Sequence, residues 1–440
     1  MADDNGHLTI LGGGAAGLAT GHYAAIRGRP FTIFEKSGHT GGMCATIRHG
    51  DFSFDCGAHR FHDRVPEVTD EVKTLLGDRL RRIRVPSHIY HNGALVNFPF
   101  TPFNMTKRIG ALTAARAAME ALTARSLPGA AADFETFASA TYGKTLARMF
   151  LLNYSEKLWG ADCSRLSAEL AGDRLKGMTP KALIQELLNG HRNGSAHLDG
   201  SFYYPEGGIG AITQALAAAC GADNIKTGAA VTGIEHDTRA VTSITINGRE
   251  RHAAHKLVSS LPCTVMVRLM NPAPPDRVLQ SAARLRFRNI ILVALFLNTE
   301  RATNSATIYF PSEQFSFTRV YEPKNRCVSM SPPGQTSLVA EIPCHESGGA
   351  WDMPDNQIAD MVEGQLADCG IIRDAGVFDT AVVRVPHAYP VIEQDSKEHT
   401  AAVLDYLNGF ANLKMIGRAG TFRYLWLHDM IAAGRKAAQL

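Results

Sequence analysis

The spacing of apolar positions changes several times along this chain, and each change marks a different element. His7–Leu11 is a short apolar run that reads as a strand. Residues 18–27 are helix-patterned and stop at Gly28, and Phe31–Phe34 reads as a second strand. Residues 102–198 are mostly helix-periodic and rich in alanine, with breaks at Pro128-Gly129 and Pro180. The texture shifts at Tyr203-Tyr204-Pro205-Glu206-Gly207-Gly208. A helix over 211–219 and strands near 229–234 and 257–260 follow. Ile290–Leu297 is a continuous apolar run, and 306–342 alternates as an antiparallel sheet would. Near the end, 414–418 reads as a strand returning to the first unit, with a helix from about Asp429. No internal repeat is visible.

This order predicts an α/β protein with a discontinuous first domain formed by 1–100, 200–270 and 405–440. A helical unit (101–199) and an antiparallel sheet unit (271–404) are inserted into it. Length agrees, since 440 residues suffice for two or three domains at roughly 150 residues each.

Composition narrows the class further. With 45% apolar and 20% charged residues, the chain is neither disordered nor fibrous. Its formal net charge of +3 does not suggest a nucleic-acid partner. The cluster Arg79, Arg81, Arg82 and Arg84 reads as a solvated edge. No apolar run reaches the ~20 residues of a membrane span, so no membrane insertion is expected. A strand begins almost at the N-terminus, leaving no room for a signal peptide, and eight cysteines without a CxxC pair fit a reduced, cytoplasmic setting. Zinc held by Cys44, Cys56, His59 and His62 would require all four to turn inward from two segments. No metal is expected.

The first strand runs directly into Gly12-Gly13-Gly14-Ala15-Ala16-Gly17, and Glu35 closes the second strand 23 positions after Gly12. Glycines permit the tight turn and the approach of a pyrophosphate, a helix N-terminus supplies N–H groups, and the acid takes a ribose hydroxyl. The Gly12, Gly14, Ala15, Ala16, Gly17 turn with Glu35 and Lys36 therefore predicts a dinucleotide site. Gly41-Gly42, followed by Met43, completes a Glu-x5-Gly-Gly pattern that resembles two-domain flavoproteins.

Further segments occur in an order that resembles the UDP-galactopyranose mutase family. They are Gly57-Ala58-His59-Arg60-Phe61-His62, Asn97-Phe98-Pro99-Phe100, Tyr154-Ser155-Glu156-Lys157-Leu158-Trp159-Gly160, the Arg174-Leu175 pair, Phe317–Lys324, and Gly417–Tyr424. The resemblance implies a Rossmann-like FAD-binding domain and an isomerase that interconverts pyranose and furanose forms of a nucleoside-diphosphate hexose. Galactofuranose is the expected type of product. Reaction would proceed through a covalent flavin–sugar adduct on reduced FAD, with NADH or NADPH as external reductant. It further implies a homodimer.

Carried over to this sequence, Arg319 and Arg418 clamp the pyrophosphate and His62 lies beside the flavin. Asn97, Tyr154, Trp159, Arg174, Tyr389 and Tyr424 contact substrate, with an aromatic face from Tyr154 or Trp159 on the base. Gly57, Ala58, His59, Val231, Arg418 and Leu425 join the glycine turns around the cofactor. The C-terminal helix is expected to aim its positive end at the flavin pyrimidine ring. Arg60 replaces an apolar residue of the family, the segment after Arg174 differs, and Trp426 stands in place of an acid. The alternative is an FAD-dependent oxidoreductase of the amine oxidase or protoporphyrinogen oxidase type. It would share the cofactor frame but lack a pyrophosphate clamp.

Overall fold

A computed structural model describes residues 6–98, 110–123, 131, 133–170, 201–372 and 376–440. Its cofactor half is a parallel sheet in the order Leu413–Met415, Lys256–Ser259, Leu8–Leu11, Phe31–Phe34 and Ile225–Lys226. Leu8–Leu11 is buried at all four positions, as a central strand covered on both faces requires. Helix Ala15–Ile26 packs between Gly210–Cys220 and the C-terminal helix Leu427–Ala437. Small residues permit this closeness: a Cβ on Gly434 would lie 2.6 Å from that of Ala19.

A second sheet has seven strands in the order Val377–Pro390, Phe287–Leu297, Thr336–Cys344, Arg319–Tyr321, Thr307–Tyr309, Ser87–His91 and Ala94–Phe98. All eleven residues of Phe287–Leu297 are buried. Its alternate side chains enter two different cores. Ile290, Leu292, Ala294 and Phe296 pack toward Trp159 and Tyr389, whereas Ile291, Val293, Leu295 and Leu297 pack toward Ile358 and Val362. Full burial of each large side chain contributes roughly 1.5–3 kcal/mol, which explains the unbroken apolar run.

Two features of this sheet correct the expected organisation. Ser87–His91 and Ala94–Phe98, placed by sequence in the cofactor unit, belong to the seven-stranded sheet. Thr307–Tyr309 pairs with Ser87–His91 in parallel, so the sheet is mixed rather than purely antiparallel. Helix Asp276–Arg284, expected in the sheet unit, packs on Ser396–Asn408 in the core that also takes Leu257 and Leu413 of the cofactor sheet.

A separate four-stranded sheet contains Glu250–Ala253, Val241–Ile246, Val231–His236 and Met270–Asn271. The described helices of the helical unit include Ala111–Thr123, Phe134–Tyr142 and Asn153–Trp159, the last preceded by a π-helical turn at Ala147–Leu152. Among the described residues, no helix is long and apolar enough to cross a membrane.

Candidate active site

A cavity of about 820 Å³ runs from the N-terminal glycine turn to the face of the seven-stranded sheet. At its first end Gly12 adopts φ +96°, a conformation favoured by glycine, and a Cβ on Gly17 would lie 1.9 Å from the Gly12 carbonyl oxygen. Nothing approaches within 4 Å of a Cβ on Gly14, which lines the cavity. Glu35 accepts from Gly13 N at 2.7 Å and Ser37 N at 2.8 Å, so its carboxylate is fixed at the strand end. Gly41 N donates to Gly13 O at 2.9 Å, and a Cβ on Gly42 would lie 3.3 Å from Gly14 Cα. The second glycine pair is thus needed for one backbone to lie on another.

The next wall is the 57–62 loop. Ala58 N donates to Glu341 Oε1 at 2.6 Å, which ties this loop to the sheet. His59 Nε2 is buried without a hydrogen-bond partner. Burial, and then the charges of Arg418 and Arg319, push the His59 pKa down to about 3, so its ring is neutral at ordinary pH. His62 lies edge-on to Trp426 at 6.2 Å and tilted to Phe202 at 6.3 Å.

Arg319 lies 2.7 Å from Glu341 Oε2 and donates to Tyr389 Oη at 2.9 Å. Burial opposes its charge, but the Glu341 carboxylate and nearby tyrosines hold its pKa above the ordinary value. Arg418 donates through Nε and Nη2 to the Leu425 carbonyl at 3.0 and 2.6 Å. Its guanidinium lies 5.6 and 5.1 Å from the Tyr389 and Tyr424 rings. Those rings are near-parallel, 6.3 Å apart. Burial raises the Tyr389 pKa, so the phenol keeps its proton.

Tyr389 reaches this place because its strand is irregular. The pairing of Phe287–Leu297 with Val377–Pro390 shifts register between Arg288 and Ile290, and His387 adopts φ +53° while donating its N–H to Asn289 Oδ1 at 2.9 Å. Such a bulge re-aims side chains. The π-helical turn acts similarly, bringing Phe150, Leu151 and Tyr154 to the cavity.

Gly12, Gly14, Ala15, Ala16, Glu35, Lys36, Gly41, Gly42, Met43, Ala58, His59, His62, Tyr154, Val231, Arg319, Tyr389, Arg418 and Tyr424 all line this one cavity. Gly17, Gly57 and Leu425 are not among its lining residues. Two substrate expectations are corrected. Asn97 is exposed on its edge strand, opposite His88, and does not line the cavity. Trp159 is at the wall but only 1% exposed, and it packs edge-on against Tyr389 and Tyr424 at 6.0 and 5.9 Å. It supports the tyrosines and offers no face to a base. Arg174 lies outside the described residues.

The C-terminal helix begins at the cavity, with Leu427 and Met430 in the wall. Its own Asp429 accepts from Trp426 N at 2.9 Å, so a carboxylate already meets the helix start. Sequence reasoning assigned no role to Arg64, Tyr309 or Glu341. Glu341 carries no local motif, being one acid within an apolar strand. Among the described residues, no group of three or more His, Cys, Asp or Glu is placed to hold a metal ion.

Residues 15–440 match the family described as flavin containing amine oxidoreductases, and the chain belongs to that family. It is similar to the crystal structure of a reduced UDP-galactopyranose mutase, with TM-score 0.83 and 19% identity over 98% of this chain and 94% of that one. It also resembles a putative protoporphyrinogen oxidase from Exiguobacterium, with TM-score 0.77, 16% identity and 98% of each chain covered. A fatty acid isomerase from P. acnes that produces CLA matches at TM-score 0.68, with 13% identity over 99% of this chain and 98% of that one. These likenesses show the fold, which a mutase, a putative oxidase and an isomerase share.

The cofactor implied by the family is FAD, and the residues present fit it. The open face of Gly14 admits a pyrophosphate, the uncapped start of Ala15–Ile26 offers N–H groups, and Glu35 stands where a ribose would lie.

Proposed function

We propose that this protein is a flavin-dependent mutase that interconverts the pyranose and furanose forms of a nucleoside-diphosphate hexose. One observation carries the reading: the charge of the cavity wall. Among the described residues it presents Lys36, Arg60, Arg64, Arg319, Arg384 and Arg418, and a single acid, Glu35, at the dinucleotide end. Such a wall favours a polyanionic substrate and disfavours a cationic amine. The near-parallel Tyr389 and Tyr424 rings could otherwise receive a substrate cation, but the chain's own Arg418 lies against both.

Bound and reduced, the flavin supplies the nucleophile for the anomeric carbon. Arg319 and Arg418 hold the diphosphate while it is detached from the sugar, because guanidinium groups bind phosphate oxygens and retain their charge. Tyr389 and Tyr424 lend phenolic donors to the same oxygens. Neutral His59 adds no charge to the cofactor side. Tyr154 and Tyr309, edge-on at 5.7 Å, form an aromatic arm for the base.

The test is a panel of UDP-, GDP- and dTDP-hexopyranoses incubated with reduced holoenzyme and resolved by chromatography for furanose products. Formation of a furanose without oxygen uptake supports the reading. Oxidation of an amine or porphyrinogen coupled to oxygen uptake, with no furanose from any sugar nucleotide, would replace it by the oxidoreductase.

A further inference from the structure

Arg60 lines the cavity between the cofactor wall and the sheet. Its Nη2 donates to Ser87 Oγ at 2.6 Å and lies 3.5 Å from Thr307 Oγ1, and its guanidinium covers the Phe202 ring at 4.9 Å. These neighbours are neutral. The two nearby arginines are differently placed. Arg319 has Glu341 at 2.7 Å, while Arg326 is held by the His59 and Ala306 carbonyls within the field of Asp55. Those two acids are already engaged, Glu341 by Ala58 and Arg319, and Asp55 by Tyr204, Thr46 and Ile209. Among the described residues, no carboxylate forms an ion pair with Arg60. Burial disfavours its protonated form, Tyr309 partly offsets this, and the charges of Arg326 and Arg319 disfavour it further.

A guanidinium kept in a partly buried cavity wall with only hydroxyls and a ring around it is one anion short. On the same wall the Trp426 indole N–H is buried without an acceptor. Arg60 directly follows His59, contacts Phe202 as His62 does, and lies within the field of Tyr309, so it stands between the cofactor wall and the Tyr154–Tyr309 arm, where a sugar would lie.

We infer that Arg60 receives a carboxylate borne by the sugar, so that the substrate is a nucleoside-diphosphate hexuronate rather than a neutral hexose. This rests on the sugar-nucleotide reading above, in which Arg319 and Arg418 take the diphosphate and leave Arg60 for a further acidic group. A planar carboxylate matches the guanidinium fork, and the Ser87 and Thr307 hydroxyls can donate to its remaining lone pairs.

The experiment is titration of the flavin absorbance of holoenzyme with UDP, UDP-galactose, UDP-galacturonate, GDP, GDP-mannose and GDP-mannuronate. It is done on the wild type and on the Arg60→Met and Arg60→Lys variants. The wild type should bind the uronate of one pair tenfold or more tighter than its neutral hexose, about the strength of one charge-assisted bond. Arg60→Met should abolish that preference, Arg60→Lys should retain part of it, and affinity for the bare diphosphate should change less than about twofold. Equal wild-type affinity for hexose and uronate would overturn the inference while leaving the mutase reading intact. So would an Arg60→Met loss that is equal for UDP and UDP-galacturonate, which would make Arg60 a third diphosphate ligand. If no nucleotide perturbs the flavin, the sugar-nucleotide reading fails and the inference falls with it.

Discussion

Glu341 and Arg319 form a buried pair, 2.7 Å between Oε2 and Nη2, with side chains 1% and 15% exposed. The same carboxylate accepts from Ala58 N through its other oxygen. One side chain thereby positions both the proposed phosphate ligand and the 57–62 loop. Removing one member of a buried pair leaves the other uncompensated, at a cost of roughly 3–5 kcal/mol. Glu341→Ala should therefore lower holoenzyme stability by about that amount and loosen the flavin. Arg319→Met combined with Glu341→Leu should recover much of the stability. Urea denaturation followed by flavin fluorescence checks both, and a Glu341→Ala change under about 1 kcal/mol would contradict the pairing.

Arg418 differs from Arg319 in being held by two carbonyls, those of Leu425 and Ala388, and two rings. Lysine cannot reproduce a fork that donates twice to Leu425 while lying against Tyr389 and Tyr424. Arg418→Lys should lose nearly as much turnover as Arg418→Ala, roughly two orders of magnitude, with protein yield maintained. Steady-state kinetics decides. Full rescue by lysine would reduce Arg418 to a point charge.

The glycine turn gives a matched pair of outcomes. A methyl at Gly14 enters open cavity, whereas one at Gly17 meets the Gly12 carbonyl at 1.9 Å. Gly14→Ala should fold with nearly wild-type apoprotein stability and lose flavin. Gly17→Ala should lose stability itself, with or without cofactor. Flavin content and apoprotein melting temperature separate the two cases.

How much of this was legible in the sequence depends on whether a residue's role is local. The glycine turns, Glu35 and the two arginine segments declare themselves because each depends on neighbours a few positions away. Glu341 does not, since its partners Ala58 and Arg319 arrive through tertiary pairing. Ser87–His91 and Ala94–Phe98 read as extended chain in any setting, and nothing local shows that Thr307–Tyr309 will be their neighbour. Trp159 illustrates the reverse error. An aromatic in a chemistry-bearing segment suggested a base platform, but burial makes it the support for Tyr389 and Tyr424.

His59 gives the stability a pH dependence. Its folded pKa, about 3, lies below the ordinary 6.5. Between those values the unfolded chain binds a proton that the folded protein does not, so stability rises with pH and falls as pH drops through this window. Its contribution from pH 7 to pH 5 is a loss of about 2 kcal/mol. His59→Asn should flatten that part of the profile. Denaturation midpoints at the two pH values measure it, and equal slopes in wild type and variant would refute the assignment.

The proposed rearrangement of a sugar nucleotide in this cationic cavity involves no net oxidation. It is tested most directly by reducing the holoenzyme once with dithionite under anaerobic conditions and counting furanose product per flavin. One reduction should support many turnovers, with almost none from oxidised enzyme and no further consumption of reductant. Activity that begins with oxidised flavin and consumes one oxygen per product formed would contradict it.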